Sequence, residues 1–341
     1  MLKEKRSRNY LRQCSKNLAF VIALVLVLCP LLLTPSVASA YKLKLGHVLP
    51  GEHSWHICSS GFAKEVTEKT EGRVTIGVYP NAQLGNEKDM VEGLQLGTLQ
   101  MGLIGGGSFQ DLESKMGIAN LPYAWADHFH AYRAFDGELG DKLLKLLAKK
   151  GIIGLAWWEN GFRNITNNKR PIRTPEDLKG LKLRVTPIKM RLDTFNALEA
   201  LPVPMPFSEL YSALQQGVVD GQENPLAIIY SNHFYEVQKY LSMTGHIWGS
   251  AILVISKGSW DKISPEDKKI IREAASKWRD NQRKMVRDSA KDFMEKLKQK
   301  GMLVNSLDKA PFVKKVKPVY KEYEPIFGKD LIELIDKYRK P

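Results

Sequence analysis

An α/β fold of two domains, crossed by one long helix, is what this 341-residue sequence predicts, and three observations predict it. Short apolar strands alternate with amphipathic helices through the first half of the chain, the pattern of a sheet flanked by helices. Between Asp267 and Gly301 no proline or glycine interrupts a helical period carried by Ile270/Ile271, Ala274/Ala275, Trp278, Met285/Val286, Phe293/Met294 and Leu297. At about 1.5 Å per residue such a helix runs roughly 50 Å, more than one small domain needs. No run rich in Pro, Gly or Ser divides the chain, so the two domains are expected to be joined by several strand crossings and not by one tether.

In chain order, Tyr41 to Leu45 reads as a strand, and the turn-rich Gly46 to His53 leads into a helix from Ser54 to Thr70. A strand at Val74 to Val78, a helix at Glu87 to Leu96 and an apolar strand at Met101 to Ile104 follow. One helix is expected from Ala131 to Lys150, ending at Gly151, and then a strand at Ile153 to Trp157. Thr174-Pro175-Glu176-Asp177 is a helix start, with a capping Thr, Pro in the first turn and acids at the positive end of the dipole. It feeds the strand Leu181 to Val185, and Ser264-Pro265-Glu266-Asp267 opens the long helix.

Residues 1–40 read as a secretory signal peptide cleaved after Ala40. Lys3, Lys5, Arg6, Arg8, Arg12 and Lys16 form a basic leader, Leu18 to Leu33 an apolar stretch interrupted by Pro30, and Val37-Ala38-Ser39-Ala40 a small-residue cleavage site. That apolar stretch is short for a membrane anchor. Without the leader, 301 residues remain and the formal charge falls from +14 to about +9. Export makes nucleic acid an unsuitable partner for this surplus; anions, and Lys-rich solvated faces such as Lys314 to Lys321, account for it. Cys14 and Cys29 leave with the leader, so Cys58 stands alone, a small apolar residue and not a disulfide partner.

Gly105-Gly106-Gly107-Ser108 follows a strand but lacks the Lys-Ser/Thr ending of a phosphate loop and the spacing of a dinucleotide fingerprint. His47, His53 and His56 lack the nearby Cys or fixed carboxylate of a metal site, so no metal or cofactor is expected. No nucleophile elbow or zinc-protease helix is present. Arg184 is the informative residue. It interrupts an apolar strand, and a guanidinium there requires an anion, either a neighbouring Asp or Glu or a bound carboxylate gripped bidentately.

Its setting narrows that choice. Gly161-Phe162-Arg163-Asn164, Leu181-Lys182-Leu183-Arg184-Val185, Pro204-Met205-Pro206-Phe207-Ser208-Glu209-Leu210-Tyr211 and Asp220-Gly221-Gln222-Glu223-Asn224-Pro225 resemble the extracytoplasmic solute receptors of tripartite ATP-independent periplasmic (TRAP) transporters, DctP type. Leu84-Gly85, Leu94-Gln95, Gly97-Thr98-Leu99-Gln100-Met101 and Leu121-Pro122-Tyr123 extend the resemblance over nearly all of the chain after the leader. It implies two α/β lobes closing on a small organic acid anion about hinge strands, with the long helix spanning both. The lobes are drawn at 41–160 with 250–289, and at 161–249 with 290–341.

By motif position, the resemblance makes Arg184 the clamp of the ligand carboxylate, Arg163 a second arginine near it and Asn224 a donor to it. Phe207 becomes an aromatic packed beside the ligand and His246 a support of the polar network. The facing lobe is expected to contribute the His47 loop and Gly106. Receptors for sialic acid carry an acidic residue shortly after the strand equivalent to Met101 to Ile104, where this chain has Gly105 to Ser108. Trp158, Glu159 and Trp248 therefore suggest a pocket of different shape. The resemblance implies an exported monomer that does no chemistry and delivers its anion to the permease subunits of an ion-gradient-driven transporter. A receptor of an ATP-driven importer, a periplasmic enzyme acting on an organic acid and a sensor subunit are the rival readings.

Overall fold

The computed structural model of the chain describes residues 40–339, so the leader and its two cysteines lie outside the described residues. The chain opens as β1 (Tyr41–Gly46), α1 (Ser54–Lys69), β2 (Val74–Tyr79), α2 (Glu87–Leu96) and β3 (Met101–Gly105), within a residue or so of what periodicity predicts. Local chemistry sets these boundaries. The Nδ1 of His53 accepts the Trp55 amide at 3.1 Å and caps α1, Asp89 accepts the Asn86 amide at 2.9 Å at the start of α2, and Gly97 ends α2 in the left-handed region.

The expected helix from Ala131 to Lys150 is two helices, α3 (His128–Phe135) and α4 (Glu138–Lys149). The chain breaks at Asp136-Gly137, where Gly137 is extended (φ −103°, ψ −156°). The Thr174 motif starts only a single 3₁₀ turn, Pro175–Leu178, because Lys179 turns back to an extended conformation (ψ 123°) that leads into β5 (Lys182–Val185). Beyond it lie α5 (Lys189–Ala197), β6 (Leu201–Pro204), α6 (Leu210–Gln215), β7 (Gly221–Asn224) and α7 (Leu226–Ser231).

The strand expected at Ile153 to Trp157 is the first third of β4 (Ile152–Asn167), and β4 pairs antiparallel along its length with β8 (Tyr240–Ser256). Polar residues such as Glu159, Asn160 and Arg163 hide this length from a hydrophobicity pattern, yet all three are buried. Register irregularities at Gly154/Ala156, Glu159/Gly161 and Arg163/Ile165 let the pair bend, and Gly161 (φ +118°) takes a conformation that side chains resist.

One sheet runs in the order β2-β1-β3-β8-β4-β7-β5-β6, with β9 (Leu303–Asn305) on β8. β1 to β3 lie beside the carboxyl half of β8, and β5 to β7 beside the carboxyl half of β4. Two α/β halves thus share two continuous strands. After α8 (Lys257–Asp261) comes α9 (Pro265–Gln299), the long helix, capped by Ser264 Oγ on the Asp267 amide at 3.1 Å and followed by Gly301 at φ +92°. It packs on α1, β4 and α7, and so touches both halves. Ile271, Ala274 and Ala275 are fully buried on it. Burying a residue such as Ile271 contributes roughly 1.5–3 kcal/mol, and the two halves hold the helix through such contacts. Ala310–Lys315 (α10), Lys317–Phe327 (α11) and Lys329–Lys337 (α12) close the chain. No described helix is long and apolar enough to cross a membrane.

Candidate functional site

In open α/β sheets ligands sit beyond the carboxyl ends of the strands, where backbone and loop donors converge. A cavity of about 180 Å³ occupies that place here. Val48 and Leu49 follow β1, Gly105 ends β3, Thr186 and Pro187 follow β5, Phe207 follows β6, and Asn224 ends β7; all line it. Strand ends from both halves of the sheet therefore meet at one space.

Its polar wall is built on Glu223 of β7, which is fully buried. Burial alone would push this carboxyl up, but Arg163 and Arg191 hold it far below the ordinary carboxylate range. Arg163 grips both carboxylate oxygens, through Nε on Oε2 and Nη2 on Oε1 (2.8 Å). Arg191 Nη1 reaches Oε1 at 3.4 Å, and the Nε2 of His246 meets Oε2 at 3.1 Å. Burial keeps His246 neutral by lowering its pKa, so a proton on Nε2 serves Glu223 while Nδ1 accepts from Thr244 Oγ1 at 2.8 Å.

Arg163 also donates to Asn224 Oδ1 (2.8 Å) and, through Nη1, to Asn160 Oδ1 (3.2 Å). One Nη1 hydrogen remains. Arg191 donates to Asn120 Oδ1 at 3.0 Å and to Thr186 Oγ1 at 2.7 Å; its Nη2 makes no hydrogen bond among the described residues. Both arginines line the cavity.

Arg184 differs. It is 0% exposed, its Nε donates to Met205 O at 2.9 Å, and neither Nη1 nor Nη2 has a partner among the described residues. Burial pushes its pKa down to about 9, which leaves the guanidinium charged at neutral pH. Its Cζ stands 5.7 Å from the centroid of the Phe207 ring, a cavity wall, although Arg184 itself is not among the lining residues. A buried cation with two free donor groups is a costly arrangement unless an anion completes it. The internal ion pair that residue type left open for Arg184 is the one Arg163 makes.

The remaining expected residues fall elsewhere. Glu159 is fully buried and its carboxylate is held by three side chains: His128 Nδ1 lies 2.5 Å from Oε1, Trp248 Nε1 donates to Oε1 at 2.8 Å, and the Tyr132 hydroxyl donates to Oε2. Trp248 stacks on Phe135 at 5.3 Å, and Trp158 is buried with its Nε1 unpartnered; neither lines the cavity. Gly106 and His47 stand behind the wall. A Cβ on Gly106 would lie 2.2 Å from Ser250 Oγ, so this glycine leaves room for Ser250, which does line the cavity. His47 accepts the Leu49 amide on Nδ1 at 3.3 Å and meets His56 Nδ1 through Nε2 at 3.2 Å. No group of three or more metal-binding side chains converges among the described residues.

Sequence reasoning overlooked Arg191, Glu87 and Asn160. Arg191 sits in the buried set Met190, Arg191, Thr194, Phe195 of α5, and a cation at that helical period was a legible signal. Glu87, by contrast, looks like an ordinary acid in the first turn of a helix.

The buried histidines make stability acid-sensitive. Burial holds His47 and His53 down to about 3, against about 6.5 in an unfolded chain. The unfolded state therefore takes up protons that the folded state refuses; the resulting stability is complete above pH 6.5 and is lost as pH falls toward 3. Each histidine is expected to remove about 2 kcal/mol between pH 7 and pH 5. Urea unfolding at the two pH values measures this. His53→Asn, which keeps a capping acceptor, should flatten the dependence by about one proton, and an unchanged slope counts against the assignment.

Residues 45–325 match the family described as bacterial extracellular solute-binding protein, family 7. The chain is 34% identical over 303 residues to the 2,3-diketo-L-gulonate-binding periplasmic protein YiaO of Escherichia coli (strain K12), covering 87% of this chain and 92% of that one. Its fold is similar to a TRAP periplasmic solute binding protein from Polaromonas sp. JS666 bound to D-erythronate (TM-score 0.86, 39% identity, 88% and 100% of the chains). It is also similar to one from Sulfurospirillum deleyianum with bound succinate (TM-score 0.83, 32% identity, 87% and 98%).

Proposed function

The chain belongs to the bacterial extracellular solute-binding proteins of family 7, and from that premise we infer that it captures a small organic acid anion and delivers it to the membrane permease subunits of a TRAP transporter. The observation that carries this reading is Arg184: a fully buried guanidinium whose two outer nitrogens lack partners among the described residues, beside a cavity walled by Arg163, Arg191 and Asn224. We place a carboxylate there against the planar fork of Arg184 and the remaining hydrogens of Arg163 and Arg191, pairs that would strengthen as closure buries them. Phe207 packs beside it, and His246 acts through Glu223, holding the anion that orients Arg163.

On this reading the lobes divide at 160/161, 249/250 and 289/290. In support, Gly161 pairs with Gly249 next to the Glu159/Gly161 irregularity, where β4 and β8 are best able to bend. Members of this family are binding proteins, and we extend to this chain the stronger reading that the anion is released unaltered; mass spectrometry of recovered ligand checks it. The family is extracytoplasmic, and export with cleavage after Ala40 is checked by the mass of the secreted protein.

A thermal-shift screen of organic acids tests the central reading. Acids that bind only the folded state should raise Tm in proportion to RT ln(1 + [L]/Kd), about 2.7 kcal/mol at 100 times Kd. Calorimetry should then give a single site. A panel of mono- and dicarboxylates and sugar acids in which none shifts Tm overturns it.

A further inference from the structure

The cavity has two unlike walls. From β4, β7 and α5 it receives donors, Arg163, Asn224 and Arg191. From α2, β3 and β8 it receives acceptors. Glu87 lines it with a carboxylate held by the Gly105 amide at 2.9 Å and the Ser108 hydroxyl at 2.5 Å. Each of its oxygens thus accepts one bond and retains capacity for another. Ser250 Oγ, also at the cavity, is a buried atom without a hydrogen-bond partner among the described residues, and Ser250 is only 4% exposed. A second carboxylate has no hydrogen to offer Glu87, whereas a hydroxyl group can donate one to it.

Charge points the same way. Three guanidiniums, Arg163, Arg184 and Arg191, face two carboxylates, Glu223 and Glu87, so one negative charge completes the set. Lys88, Asp89 and Asp111 lie at the exposed rim, where solvent screens them. A dicarboxylate would place its second charge in surplus, close to Glu87.

Resting on the reading of Arg184 as the carboxylate clamp, we propose that Glu87 makes this cavity selective for monocarboxylic acids that carry hydroxyl groups and excludes dicarboxylic acids. Selectivity of this kind comes as much from repulsion of the wrong ligand as from attraction of the right one. Glu87 also lies within electrostatic reach of Arg184 and Arg191, so a purely supporting role must be separated from a selective one.

Calorimetry on the purified protein with D-erythronate, D-galactonate, succinate and fumarate makes that separation. The better hydroxy acid is expected to bind at least about 100-fold more tightly than either dicarboxylate. Glu87→Gln, which removes the charge and keeps an acceptor, should narrow that ratio at least about tenfold, whereas Glu87→Asp should preserve the exclusion of succinate. A supporting role would weaken all four acids alike and leave the ratio unchanged. An unchanged ratio, a dicarboxylate that matches the hydroxy acids in the wild type, or a wild type that binds neither hydroxy acid overturns the proposal. If Glu87→Gln does not fold, as thermal unfolding will report, the wild-type ratio decides. Arg184→Ala tests the underlying reading separately: hydroxy acids that bind it undiminished remove the clamp, whatever the ratio at Glu87.

Discussion

Arg184→Ala will lose organic acid binding by about 2–5 kcal/mol, roughly 30-fold to several thousand-fold in Kd, because it removes one partner of a buried charge pair and leaves the ligand carboxylate without its fork. Arg184→Lys will recover little, since an ammonium is a point charge and cannot offer two parallel donors. The ligand-free protein should respond in the opposite direction. Arg184 is fully buried with Nη1 and Nη2 unpartnered, so Arg184→Met, which keeps much of the stem and removes the charge, is expected to leave the Tm of the ligand-free protein unchanged or raised. Calorimetry and thermal unfolding of the same samples separate the two effects. Undiminished affinity in the Ala variant, or a large fall in ligand-free Tm in the Met variant, would show that Arg184 serves the fold and not the ligand.

Glu223→Gln is expected to have the largest effect on the fold itself. Glu223 is the carboxylate on which Arg163, Arg191 and His246 converge, and all four side chains are buried. Removing its charge leaves the guanidiniums of Arg163 and Arg191 facing one another, with Glu87 as the one carboxylate still acting on Arg184 and Arg191. Breaking a buried pair in this way destabilises by about 3–5 kcal/mol. For a chain of this size that lowers Tm by roughly 5–8 °C. An organic acid should recover part of the loss by supplying negative charge nearby. Denaturant unfolding of the variant, with and without ligand, measures both quantities; a variant as stable as the wild type would mean that the cluster is held by packing and not by its charge.

The contrast between Arg163 and Arg184 defines what was legible in advance. The motif resemblance placed both beside the anion, although only Arg184 lay in a strand that the sequence pattern revealed. Tertiary geometry separates them, because Glu223 lies opposite β4 and grips Arg163, while no acid among the described residues reaches the outer nitrogens of Arg184. Glu159 shows the same dependence in reverse. As a lone acid among tryptophans it looked available, and the fold surrounds it with His128 and Tyr132 from α3 and Trp248 from β8. Linear spacing does not reveal such a meeting, because Glu159 and Trp248 are brought together only by the antiparallel pairing of β4 with β8.

Local signals were sufficient where local physics decides. The caps, glycines and periods of α1, α2 and α9 set their boundaries through hydrogen bonds between residues a few positions apart, so the long helix and the alternation of strands and helices were readable directly. Strands β4 and β8 were not, since their polar stretches are stabilised by partners distant in sequence. The amino-acid sequence by itself determined the two-part α/β plan, the helix that spans it and the arginine to watch. Only the tertiary structure decided which buried charges are mutually satisfied, which one still requires an anion, and that Glu87 confronts them across a small cavity. A charge's meaning in a protein depends on its distance from other charges in three dimensions, and that distance is not a property of any short segment.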